Sequence, residues 1–131
     1  MLFRSTRAPR RILYVEDNPA HVRLIERALA QLDYVSLTTV HTAELGLAAM
    51  RSMAPDLILI DLGDQDMMRR DSHRRLMAMA DERRIAILDL SANQAIARDQ
   101  VADRDSDKVG AELVDIPRLL VEIERRICQP D

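Results

Sequence analysis

Residues 57–60 read Leu-Ile-Leu-Ile, framed by Pro55-Asp56 before and Asp61 after. Four apolar residues in a row leave no polar face, so a strand built from them must be covered on both sides. That is the position of a central strand in a parallel sheet sheathed by helices. The flanking chain agrees. Arg11 to Val15 (RILYV) and Ile85 to Leu90 (IAILDL) are further short apolar runs, and Val35 to Val40 (VSLTTV) alternates as a strand does.

Helical spacing fills the intervals. Asn18 can cap a helix with Pro19 at its first position, and Val22, Ile25, Leu29 and Leu32 then recur along one stripe. Thr42 can cap the next helix, for which Leu45, Ala48 and Ala49 supply a narrow apolar stripe. Ser72, Leu76, Met79 and Ala80 mark a third, arginine-rich helix. A weak fourth runs through Ala95, Ile96 and Val101, and Asp115 caps a fifth with Ile116, Leu119, Leu120, Ile123 and Ile127 in phase. Val109 to Leu113 is a marginal fifth strand. The expected fold class is therefore α/β, a three-layer sandwich around a five-stranded parallel sheet. The domain spans residues 11–128, behind a basic tail over residues 1–10.

Composition removes several function classes. Nineteen basic against 22 acidic residues leave a net charge of −3, and only Phe3, Tyr14 and Tyr34 are aromatic, so no nucleic-acid platform is expected. The single cysteine, Cys128, permits neither an internal disulfide nor a cysteine metal site and fits a reducing compartment. With no membrane-length apolar run and no secretory h-region in the first residues, the expectation is a cytoplasmic protein without a membrane partner.

Chemistry in such sheets gathers beyond the carboxyl ends of the strands. There the first strand ends in Glu16-Asp17, the third in Asp61 and the fourth in Ser91. Crowded carboxylates repel one another, so a cation or partial protonation is expected. Oxygen ligands without cysteine or histidine favour Mg²⁺. A carboxylate beside Mg²⁺ can attack a phosphoryl group and become an aspartyl phosphate.

These segments (Ile12-Leu13-Tyr14-Val15-Glu16-Asp17-Asn18, Pro55 to Asp61, and Ile87-Leu88-Asp89-Leu90-Ser91-Ala92) resemble the response-regulator receiver domains of two-component signalling. The likeness covers roughly residues 10–128 and extends to the order of elements. It implies the flavodoxin-like strand order 2-1-3-4-5. It also implies that Asp61 is the phosphoacceptor and that Glu16 and Asp17 hold Mg²⁺ with Asp61 and the backbone carbonyl of Gly63. Ser91 matches the hydroxyl that bonds a phosphoryl oxygen. The implied partners are a sensor histidine kinase or phosphotransfer protein and a downstream protein target. The implied role is that of a phosphoacceptor signalling protein rather than an enzyme.

The departures are as informative. The loop positions where the family carries proline and glycine hold Gln65 and Arg69. The one lysine, Lys108, lies 17 positions after Ser91, short of the family interval, and the family's lysine–proline pair aligns with Glu112-Leu113. At roughly 3.3 Å per residue, Lys108 sits about 13 Å upstream of that point, beyond side-chain reach. Val109 occupies the place of the switch aromatic. These losses point to a second reading, a pseudo-receiver that keeps the fold and switches without phosphate. A third, an unrelated Mg²⁺-dependent phosphohydrolase, lacks a phosphate-cradling glycine loop.

Plainer roles stand beside these. Asp61 could cap a turn, and Ser91 could cap the following helix. Arg69, Arg70, Arg74, Arg75, Arg83 and Arg84 read as a solvated face paired with Asp71, Asp81 and Glu82. His21, His41 and His73 are expected at the surface, and the methionines as core fillers. With no effector segment following Cys128, output is expected through protein contact. Residues 93–108 are expected to be mobile. The outer face of the last helix, with Arg118, Glu122, Arg125 and Arg126, is expected to meet a partner. A homodimer through the fourth helix, fifth strand and fifth helix is the corresponding self-association.

Overall fold

The computed structural model describes residues 9–62, 70–91 and 116–127. Four strands lie in it: β1 (Arg10–Val15), β2 (Val35–Val40), β3 (Leu57–Ile60) and β4 (Ala86–Asp89). They form one all-parallel sheet in the order β2-β1-β3-β4. Four helices accompany them: α1 (Pro19–Leu29), α2 (Ala43–Ser52), α3 (Asp71–Glu82) and α4 (Ile116–Ile127). The protein is thus α/β with helices on both faces of the sheet. The expected fifth strand at 109–113, the weak helix near Ala95, and Gly63, Lys108 and Glu112 lie outside the described residues.

Alternation within the strands sorts the core into two layers. Ile12, Tyr14, Leu57 and Leu59 pack with Ile25, Ala28 and Leu29 of α1 and Leu119, Ile123 and Ile127 of α4. Leu13, Val15, Ile58 and Ile60 pack on the other face with Ala43 and Met50 of α2 and Leu76 and Ala80 of α3. The chain steps from β1 out to β2 and then returns past β1 to β3 and β4. Crossovers of one hand place helices on opposite faces when the direction of travel reverses, which is why α1 and α2 lie apart. All four residues of β3 have no exposed surface, as the Leu-Ile-Leu-Ile run requires.

Local signals set most of the helix ends. The Asn18 side chain accepts from the Ala20 N–H with Pro19 at the first helical position, and the Thr42 hydroxyl accepts from the Leu45 N–H. The α3 terminus is a Schellman motif: the Ile85 N–H donates to the Ala80 carbonyl and the Arg84 N–H to that of Asp81. Arg84 takes φ 59° to make it, a conformation that normally selects glycine.

Three expectations need correction. The buried stripe of α2 is Ala43, Gly46 and Met50, while Leu45 is 50% exposed. The reason is close packing of α2 on α3 through Gly46, where a side-chain carbon would lie 3.3 Å from Leu76 Cδ2. The fourth strand stops at Asp89, and Leu90 and Ser91 are already helical, because the Asp89 carboxylate caps them. His73 is fully buried in α3 rather than at the surface, on the same stripe as Leu76 and Ala80.

Candidate functional site

The first connection carries the chain from β1 to β2, and the return brings it to β3 on the other side of β1. The switch point therefore lies between the carboxyl ends of β1 and β3. Val15 is paired with Ile60, so Glu16 and Asp61, each one residue further on, stand level on adjacent strands. Strand alternation turns both toward the Tyr14–Leu59 side of the sheet. Asp17, next in the chain, is exposed. Beside them, β4 ends level with β3 through the Ile60–Asp89 pair.

Glu16 is the most buried of these carboxylates, with 6% of its surface exposed. The Tyr14 hydroxyl donates to its Oε1 at 3.2 Å, and the Asn18 N–H donates to its Oε2 at 3.2 Å. His21 Nδ1 lies 3.6 Å from the same Oε1. Burial raises the Glu16 carboxyl above its ordinary value, and the Asp17 charge adds to the rise. The Asn18 N–H, His21 and the Tyr14 hydroxyl oppose it. Burial, followed by the charge of Glu16 and a smaller effect of Asp61, holds the Tyr14 phenol well above its usual range. It therefore stays a hydrogen-bond donor. On the far side of Glu16, His41 Nδ1 is 3.3 Å from the Glu16 carbonyl oxygen.

Ser91 is positioned by Asp89. Its hydroxyl lies 2.7 Å from both Asp89 carboxylate oxygens, and its N–H donates to Oδ1 at 2.9 Å. The Leu62 N–H donates to the same Oδ1 at 3.0 Å. One carboxylate thus ties the residue after Asp61 to the start of the turn that carries Ser91. Tyr14, His21 and Asp89 were not singled out from the sequence as site residues. The phenol and the imidazole reach Glu16 from two and five residues away, and only the strand-to-helix geometry reveals it. The Asp-x-Ser spacing of 89 and 91 is an N-cap signal that could have been used.

The residues brought together are Glu16 and Asp61, with Asp17 at the rim and Ser91 one strand further along. Among the described residues, no three His, Cys, Asp or Glu side chains form a group that could hold a metal ion. The donor chemistry still suits a hard cation, because the switch point offers carboxylate oxygens on adjacent strands. A neighbouring dication would favour the charged form of Glu16, which burial disfavours.

The expected arginine face is present in part: Asp71 pairs with Arg75 at 3.0 Å and with Arg74 at 4.0 Å. On α4, Arg118, Arg125 and Arg126 are exposed, and half-buried Glu122 pairs with Arg125 and Arg126. No helix among the described residues is long and apolar enough to cross a membrane. Comparison with known proteins finds no matching family model, no matching curated protein and no matching solved structure.

Proposed function

We propose that this chain is a receiver-like signalling domain that accepts a phosphoryl group on Asp61 and signals through protein contact. The observation that carries the reading is the level placement of Glu16 and Asp61 across the β1–β3 switch point of a parallel sheet. In the proposed step, an Asp61 oxygen attacks the phosphorus of a partner's phosphohistidine. The N–P bond breaks, an O–P bond forms, and the imidazole leaves with its electron pair. Asp61 becomes an acyl phosphate. Glu16, Asp17, Asp61 and the Gly63 carbonyl are the residues that would hold Mg²⁺, which supplies positive charge to the phosphoryl oxygens when bound. The finer reading of the fold, five strands in the order 2-1-3-4-5, belongs to this proposal, as does a cytoplasmic location.

The arrangement around Ser91 favours a second reading. Its hydroxyl is engaged by Asp89, and Glu16 is engaged by Tyr14 and Asn18, so both groups already have intramolecular partners. A pseudo-receiver that holds this geometry permanently and binds its partner without phosphate would use those contacts as they stand.

The two readings separate on one experiment. The protein is incubated with acetyl phosphate and Mg²⁺ and its intact mass is measured. A single phosphoryl adduct that is absent in Asp61→Asn is the expected result. No adduct on the wild-type protein selects the pseudo-receiver.

A further inference from the structure

Asp89 does more than begin a turn. The end of β4 lies level with the end of β3 through the Ile60–Asp89 pair, so the half-buried Asp89 stands beside the chain as it leaves Asp61. An aspartate at such a place caps a helix by accepting from the N–H two residues on, and the Ser91 N–H at 2.9 Å fills that role. Two further donors go beyond capping. The Leu62 N–H, one peptide away from Asp61, donates to the same Oδ1 at 3.0 Å. The Ser91 hydroxyl lies 2.7 Å from both carboxylate oxygens.

A hydroxyl has one proton to give and a carboxylate only accepts, so Asp89 takes the Ser91 proton. Leu90 packs with Tyr14 and Leu59, the side of the sheet toward which Asp61 turns, and Ser91 follows it in a helical turn. A phosphoryl group on Asp61 presents acceptor oxygens and about two negative charges. Neighbouring donors stabilise it and a neighbouring carboxylate opposes it. Three donors beside Asp61 are already gathered around an anion, and that anion belongs to the chain itself.

We propose that Asp89 is a positioning residue that competes with a phosphoryl group on Asp61 for the Ser91 hydroxyl. The inference rests on the reading of Asp61 as phosphoacceptor. Before transfer, Asp89 holds the hydroxyl proton. On transfer, the hydroxyl turns from Asp89 to a phosphoryl oxygen, while the N–H groups of Leu62 and Ser91 stay on Oδ1. Each transfer therefore gives up a charge-assisted hydrogen bond of the resting protein, and Asp89 slows the reaction accordingly.

The test measures how fast the full chain gains a phosphoryl adduct from acetyl phosphate and Mg²⁺, read by intact mass. In this step an Asp61 oxygen takes the phosphoryl group and acetate leaves. Asp89→Asn keeps an oxygen for the Leu62 and Ser91 N–H groups, while its NH2 donates to the Ser91 oxygen and frees the hydroxyl proton. Asp89→Ser keeps a capping oxygen without the charge, and carries the test if circular dichroism shows the asparagine variant unfolded. The expected result is an adduct that forms roughly tenfold faster in Asp89→Asn, the rate equivalent of one such hydrogen bond. In a Ser91→Ala background the same substitution should change the rate by about twofold or less, because the two residues act as one unit. A lost cap alone would lower the melting temperature and accelerate nothing. Asp61 adducts that form no faster in the folded Asp89 variants than in wild type overturn the proposal and leave the phosphoacceptor reading standing. Acceleration that persists undiminished without the Ser91 hydroxyl overturns it too, since the lost charge would then act alone. No adduct on wild type or any variant overturns the phosphoacceptor reading and this proposal with it.

Discussion

Glu16 is where burial and charge are most clearly at odds. Its carboxyl is raised above its ordinary value near 4.5 by loss of solvent, with the neighbouring Asp17 charge acting in the same direction. A group raised on folding stabilises the protein fully while protonated, below the unfolded value. That contribution is lost as pH rises through the higher folded value. Glu16→Gln imitates the protonated form: its amide oxygen accepts from the Asn18 N–H, and its NH2 donates to the Tyr14 hydroxyl oxygen, which turns to accept. In metal-free buffer the variant should melt higher than wild type at neutral pH. The gap should close as pH falls below about 4.5. Each ~1 kcal/mol relieved corresponds to roughly 3–6 °C in a domain of this size. Thermal melts across the pH range check this; parallel curves for the two proteins would show that Glu16 carries no such penalty.

At the scale of elements, α3 holds two tests of opposite sign. Its Schellman terminus forces Arg84 into the left-handed region at φ 59°. Arg84→Gly should stabilise the protein by about 1 kcal/mol, since glycine meets no Cβ penalty there. The other concerns Gly46, where α2 approaches α3. A Cβ would stand 3.3 Å from Leu76 Cδ2 and 3.5 Å from Val15 Cγ2, both on fully or almost fully buried side chains. Two further methyl groups have nowhere to go. Gly46→Val should therefore destabilise by roughly 1–3 kcal/mol despite any gain in helix propensity. Chemical denaturation midpoints measure both. The same contact decides between two apolar stripes: Ala43, Leu47 and Met50 also recur at helical spacing, and Gly46 among them lets that face, rather than the one through Leu45, close on α3.

For the molecule as a whole, what was legible followed from patterns that act locally. The both-faced apolar run at 57–60, the Asn18-Pro19 and Thr42 caps and the in-phase residues of α4 each specify an element without reference to distant chain. All four appear as expected. Parallel strands in sequence then place Glu16 and Asp61 at one edge, because every strand presents its carboxyl end there. The polar contacts were not legible. Tyr14 reads as a core aromatic and His21 as a surface histidine until strand pairing and the pitch of α1 bring both to Glu16. His73 reads as polar, but it lies on the stripe of α3 that the sheet covers.

Whether Asp61 accepts a phosphoryl group, as we propose, is decided by locating the adduct. The protein is treated with acetyl phosphate and Mg²⁺, the acyl phosphate is reduced with borohydride, and the peptides are mapped by mass. Reduction is expected at residue 61 alone, and none when Mg²⁺ is withheld. Reduction at Asp17, Asp89 or another carboxylate with Asp61 unmodified would contradict it.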